Sequence, residues 1–104
     1  MVVWSEKLYI GEQAEKNHRK IRRKLESGKA VMDYYLITRP SNEQNLFDIL
    51  PSTELLFPYY KRQELLVYGL AKGKGEAEEL LLTMLEDMYR ETEGLCCKEY
   101  FETE

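Results

Sequence analysis

Cysteine and histidine are scarce in this sequence, which restricts its metal and redox chemistry. The 104 residues include one histidine, His18, and two adjacent cysteines, Cys96 and Cys97. Structural zinc sites need about four such ligands at set spacings, and no CxxC pair occurs. Adjacent cysteines cannot join distant segments, so we expect free thiols in a reducing cytoplasm. The sequence therefore predicts neither a metal site nor a disulfide framework.

Long apolar runs and catalytic motifs are also missing. The longest apolar stretches, Leu65–Leu70 and Leu80–Leu82, fall far short of the roughly 20 residues that cross a bilayer. No nucleotide-binding glycine pattern, nucleophile elbow or recognised catalytic spacing is present. We therefore expect no membrane contact, no cofactor and no catalytic residue, and we favour a non-enzymatic role.

Proline is rare and confined to the middle of the chain, at Pro40, Pro51 and Pro58. Hydrophobic residues make up 43% and charged residues 33%, which is typical of a globular domain. Length and composition predict one domain over residues 1–104. Two halves, 8–38 and 64–101, are joined by the proline-punctuated segment 40–63.

Hydrophobic periodicity predicts a strand–helix–strand unit in each half. The predicted strands are Leu8–Ile10, Val31–Thr38, Leu65–Leu70 and Leu95–Phe101, and the long helices are Glu12–Glu26 and Glu76–Thr92. Leu65–Leu70 is apolar on both faces, which indicates a central strand covered on both sides. The middle segment predicts a brief helix over Asn42–Leu50 and a further turn over Thr53–Tyr60.

This order of elements favours an α+β fold with a ferredoxin-like two-layer core. Right-handed crossovers would place both long helices on one face of a four-stranded, mainly antiparallel sheet. The middle segment would then be a helical insertion. A three-layer α/β sheet is the alternative, since that segment could supply a third crossover helix.

Charge is unevenly distributed although the net value is only -4. Residues 1–40 hold nine lysines and arginines against five acidic residues, and residues 41–104 hold six against fourteen. The basic excess is concentrated in Lys16, Arg19, Lys20, Arg22, Arg23 and Lys24. We interpret this run as a solvated helix face, or one neutralised by the acidic second helix within the chain or across a dimer. An acidic protein partner and nucleic acid are the alternatives, and His18 is a boundary residue of the same helix.

A glycine-rich turn separates the third predicted strand from the second long helix. It offers a weak anion site at Lys72, Gly73, Lys74 and Gly75. Phosphate-binding loops lie at such junctions, but the spacing matches neither common phosphate-loop pattern. The carboxylates that follow, including Glu76, would repel a phosphate, so a structural turn is the favoured interpretation.

Tyrosine is abundant, with eight residues, and tyrosine suits half-exposed sheets and interfaces. The candidate interface residues are Tyr34, Tyr35, Tyr68, Leu80, Leu82 and Tyr100. They predict either packing beneath the middle segment or a homodimer. The sequence thus favours a protein–protein interaction module that self-associates. Anion-dependent regulation at the turn 69–75 and nucleic-acid binding through residues 16–24 are the alternatives.

Overall fold

The computed structural model describes residues 2–29, 31–40, 46–92 and 100–101. Within these ranges the strands are β1 (Val2–Ile10), β2 (Tyr34–Thr38), β3 (Asp48–Pro51) and β4 (Leu65–Lys72). The helices are α1 (His18–Glu26), α2 (Pro58–Lys61) and α3 (Lys74–Thr92), with 3₁₀ turns at Glu15–Asn17 and Ser52–Leu56. The α+β class is confirmed.

The strands form one mixed sheet in the order β1-β4-β2-β3. β1 and β4 are parallel, whereas β4 with β2 and β2 with β3 are antiparallel. The predicted mainly antiparallel sheet is therefore wrong, and the ferredoxin-like arrangement is not confirmed. The strand direction differs from the prediction because β1 pairs with β4 across 60 or more positions of sequence, and local periodicity does not encode the direction of so distant a pairing.

The two long helices pack on opposite faces of the sheet. Val67 of β4 belongs to the same buried cluster as Ile21 and Leu25 of α1. The next residue, Tyr68, packs in a second cluster with Met84 and Met88 of α3. Successive strand residues point to opposite faces, so the predicted placement of both helices on one face is wrong. The central, doubly covered position of β4 is confirmed.

Each long helix turns one stripe of side chains towards the sheet. Ile21 and Leu25 of α1 lie in the first core cluster with Ala14 from the turn before the helix, and Ala77, Met84 and Met88 of α3 are fully buried on the other side. Intervals of four and seven residues place side chains on one stripe of a helix. Each helix thus covers one face of β4, which gives three layers without a helix from the middle segment.

The middle segment and the end of the chain also differ from the sequence prediction. The predicted helix Asn42–Leu50 is partly wrong, because Asp48–Leu50 belong to strand β3, while residues 41–45 lie outside the described ranges. Of the predicted last strand Leu95–Phe101, residues 95–99 lie outside the described ranges, and Tyr100 and Phe101 are helical. Phe101 stacks on Tyr68 with ring centroids 4.4 Å apart. Aromatic packing on β4, and not pairing in the sheet, therefore holds Phe101 in place.

In the described part of the chain, α3 is the longest helix, and neither it nor any other helix combines the length and apolarity that a membrane crossing requires. Cys96 and Cys97 lie outside the described ranges.

Candidate functional site

A cleft opens where the parallel strands β1 and β4 end side by side. From these ends the chain passes through Gly11 to α1 on one face and through Gly73 to α3 on the other. Ligands in α/β sheets bind outside the carboxyl ends of strands where successive connections diverge to opposite faces. The cleft here measures about 730 Å³, which lies within the size range of small-molecule pockets. This location makes it the candidate ligand site.

The Glu76 carboxylate bridges the two loops that form the cleft. Its Oε2 accepts a hydrogen bond of 2.7 Å from the Gln13 backbone N–H, and its Oε1 accepts one of 2.9 Å from the Lys72 backbone N–H. Gly11 lies against the same group, and a Cβ at that position would overlap the carboxylate. Glu76 therefore acts as an internal anion that ties the ends of β1 and β4 together.

The predicted anion residues are only partly brought together. Lys72 ends β4 and lines the cleft, while Lys74 and Gly75 begin α3. Gly73 has a φ of +85° and donates its N–H to the Asp33 carbonyl at 2.6 Å. The backbone donors of Lys72 and Gly73 are thus already used by oxygen atoms of the chain. The anion site itself stays a prediction.

Charges of both signs line the cleft. Lys16 and Lys72 supply ammonium groups, and Glu12 and Glu79 supply carboxylates in addition to Glu76. Within the described ranges, none of these five side chains forms an ion pair. Ile10 and Leu80 add apolar surface. The described residues contain no group of three or more potential metal ligands.

The predicted basic run divides into a packed part and an exposed part. The Arg22 guanidinium lies over the Trp4 ring, 5.0 Å from its centroid, and Trp4 Nε1 donates to Glu26 Oε1 at 2.7 Å. Lys24 is half-buried, as is His18 at the margin of the apolar stripe. The exposed part consists of Lys16, Arg19, Lys20 and Arg23, which we call the basic ridge. None of its four side chains forms an ion pair within the described ranges.

Half of the six predicted interface residues are buried in the core. Tyr34, Tyr68 and Tyr100 are buried in the two core clusters. They are core residues and not the surface contact residues that the sequence predicted. They are buried because helices cover both faces of the sheet, whereas the prediction assumed one open face. Tyr35 and Leu80 are half-buried. Leu82 is 60% exposed, as expected for a contact residue.

Sequence reasoning missed Tyr89, which completes an exposed apolar surface with Leu82. Tyr89 is 61% exposed and lies two helical turns after Leu82, on the same side of α3. Leu81 and Leu85 are half-buried beside them. We call these four residues the α3 flank. Two exposed carboxylates, Glu78 and Glu86, lie on the same side of the helix and give the flank a negative margin.

The other side of α3 is fastened to β1. Tyr9 donates to Asp87 Oδ2 at 2.7 Å, and its hydroxyl lies 2.5 Å from that of Tyr100. Burial, followed by the hydrogen bonds to Tyr100 and Asp87, raises the pKa of Tyr9 well above its ordinary value of 10.0. Lys7 and Glu91 add an ion pair of 3.6 Å. These contacts fix the rotation of α3 and leave the α3 flank exposed.

Comparison with known proteins adds no functional information. No protein-family model matches the chain, and neither a curated protein nor a solved structure matches it. Function is therefore inferred from the chemistry of the surfaces and the cleft.

Proposed function

We propose that this chain is a non-enzymatic interaction module that associates with further copies of itself. In this contact the basic ridge of one copy docks on the α3 flank of the next. The observation that carries the proposal is the placement of α1 and α3 on opposite faces of the sheet. The sheet lies between α1, which carries Arg19, Lys20 and Arg23, and α3, and no ion pair joins the basic ridge to α3 within the described ranges.

Charge complementarity supports a second copy as the partner. The ridge presents four exposed cations that lack carboxylate partners within the described ranges. The outer side of α3 presents Glu78, Glu79 and Glu86, all exposed. Opposite charges on two surfaces steer association and fix its register more than they add affinity. The like charges of the ridge repel one another, and docking on α3 relieves that repulsion.

The apolar content of the α3 flank suits the same contact. An arginine guanidinium packs favourably over a tyrosine ring, as Arg19 or Arg23 would over Tyr89. The aliphatic stems of lysine and arginine cover apolar surface while their charged ends stay in water, which fits Leu82. Arg19 and Arg23 lie four residues apart on α1, about 6 Å along its axis, and Leu82 and Tyr89 lie seven residues apart on α3, about 10 Å, so the two arginines fit within the length of the flank.

We infer head-to-tail association from the positions of the two docking surfaces. They are different and lie on opposite faces, so a contact between them is heterologous and, unless a ring closes, leaves one free surface at each end. The average mass of the wild type should therefore rise with concentration instead of stopping at a dimer. An isologous dimer through two α3 flanks would stop at two copies.

Light scattering across a concentration series at about 0.05 and 0.5 M salt tests this function. We expect the mass to rise with concentration at low salt and to fall towards the monomer at high salt, because the Debye length shrinks well below 10 Å. The ridge variant Arg19→Glu/Arg23→Glu should remain monomeric. Lys29→Glu, which reverses an exposed charge beyond the ridge, is the control. Association of the ridge variant equal to that of the wild type would contradict the proposal.

Nucleic-acid binding through the basic ridge is the second candidate, because four exposed cations along α1 and the 3₁₀ turn before it suit a phosphate backbone. A wild type that stays monomeric, yet binds single-stranded RNA with salt-dependent affinity that the ridge variant loses, would replace self-association with this function. An acidic protein partner would use the same ridge. We further infer a reducing cytoplasmic setting from the adjacent Cys96 and Cys97.

A further inference from the structure

We propose that the cleft at the ends of β1 and β4 binds a small zwitterion that carries a primary ammonium group and a carboxylate, as a free amino acid does. The α3 flank takes no part in this site and ligand binding needs no second copy of the chain, although Lys16 belongs to both the cleft and the basic ridge. Its position is set by the parallel strand pair and the divergent helices, and its chemistry is set by the charges on its walls.

The ammonium end of the ligand is assigned to Glu76 and Glu79. A carboxylate offers about four acceptor positions, and Glu76 uses two of them for the backbone N–H groups of Gln13 and Lys72. The remaining positions are free to accept an ammonium group, and the two backbone bonds hold the carboxylate in place beforehand. Such preorganisation reduces the entropy that binding costs. Glu79 lies about one turn further along α3 and lines the same cleft.

The carboxylate end of the ligand is assigned to Lys16 and Lys72. These two side chains reach the cleft from the α1 side and from the end of β4, and neither forms an ion pair within the described ranges. A purely anionic ligand would meet repulsion from Glu76 and its neighbours, and a purely cationic ligand would meet repulsion from the lysines. A ligand with an ammonium group and a carboxylate can form ion pairs with the acidic residues and with the lysines of the cleft. Its apolar part can contact Leu80.

An NMR titration of the intact chain with each of the twenty amino acids tests the assignment. At least one should shift the amide signals of Gly11, Gln13 and Lys72 saturably, with a Kd on the order of 0.1–1 mM for so small a ligand. For leucine, 3-methylbutylamine and 4-methylpentanoate are matched probes that lack the carboxylate and the amine, respectively. The analogues that lack one charge should bind at least about tenfold more weakly, as expected when one ion-pairing end is lost.

Two substitutions on the cleft walls check where the ligand binds. Glu79→Gln and Lys16→Met should each weaken binding about fivefold, as expected for an exposed ion pair, and leave the free energy of unfolding nearly unchanged. Glu86→Gln, on α3 but outside the cleft, is the control. Three results would overturn the assignment: no saturable shift with any amino acid, an analogue with one charge that binds equally well, or cleft variants that bind like the control.

Discussion

Replacing Glu76 with alanine should loosen the junction between β1 and β4 and lower the stability of the whole fold. The substitution removes two hydrogen bonds to a charged acceptor, of 2.7 and 2.9 Å. Such bonds contribute about 1.5–3 kcal/mol each. Water can reach the freed N–H groups because Gln13 and Lys72 are exposed, so the lower value applies to both. The expected loss is about 3 kcal/mol, a large share of the roughly 5–15 kcal/mol that stabilises a domain.

Urea denaturation followed by circular dichroism measures this loss. With a slope of about 1–3 kcal/mol per molar urea, the midpoint should fall by about 1–3 M while the slope stays constant. Glu79→Ala is the matched control on the same helix. In the part of the chain that the structure describes, the Glu79 carboxylate accepts no hydrogen bond, so this substitution should change stability by less than about 0.5 kcal/mol. If Glu76→Ala changes stability as little as this control, the bridging role of Glu76 is refuted.

A double-mutant cycle with Gly11 sharpens this test. A Cβ at position 11 would overlap the Glu76 carboxylate, so Gly11→Ala should push the carboxylate away from its two donors. The substitution should be destabilising in the wild type and nearly neutral in the Glu76→Ala background. Residues in contact commonly show coupling energies of about 0.5–3 kcal/mol. Simple additivity of the two substitutions would show that Gly11 is required for another reason.

Two further substitutions test the fold around the site. The pKa of Tyr9 is raised in the folded chain, so above pH 10.0 the unfolded chain loses this proton first and stability falls as the pH rises. Tyr9→Phe should make this fall shallower in denaturation series between about pH 8 and 11, and an unchanged slope would contradict the buried hydrogen-bonded phenol. Gly73→Ala should lower stability by about 1 kcal/mol, because the φ of +85° at Gly73 is unfavourable for residues with a side chain. A thermal midpoint equal to that of the wild type would argue against this turn geometry.

Strong local patterns were predicted well, and long-range pairings were not. β4 and α3 were placed almost correctly because an uninterrupted apolar run and a regular stripe define them. Only Leu8–Ile10 of β1 was predicted, since Glu6 and Lys7 interrupt the apolar pattern of the nine-residue strand. The relative direction of β1 and β4 depends on contacts between distant residues. The apolar character of both faces of β4 already conflicted with two helices on one face, and the structure resolves that conflict in favour of three layers.

The candidate site was less predictable than the fold. Glu76 was interpreted as one of the carboxylates after the glycine-rich turn that would repel a phosphate. Its partner Gln13 is 63 residues away, and no local signal connects the two. Lys72 and Lys16 were predicted for two different sites, yet they line one cleft. The basic ridge was predictable because a run of basic residues is visible in the sequence without tertiary information. Leu82 was predictable because it broadens the apolar stripe of the second long helix.

Mixing two charge-reversed variants tests the central claim, self-association through the basic ridge and the α3 flank, most directly. The variant Arg19→Glu/Arg23→Glu keeps an intact α3 flank, and Glu78→Lys/Glu86→Lys keeps an intact ridge. We predict that light scattering finds each variant monomeric alone, because its two docking surfaces then carry like charges, and finds association restored in the mixture, where both ridge–flank pairings join opposite charges. A mixture that stays monomeric while the wild type associates, or variants that each associate like the wild type, would contradict the proposed contact.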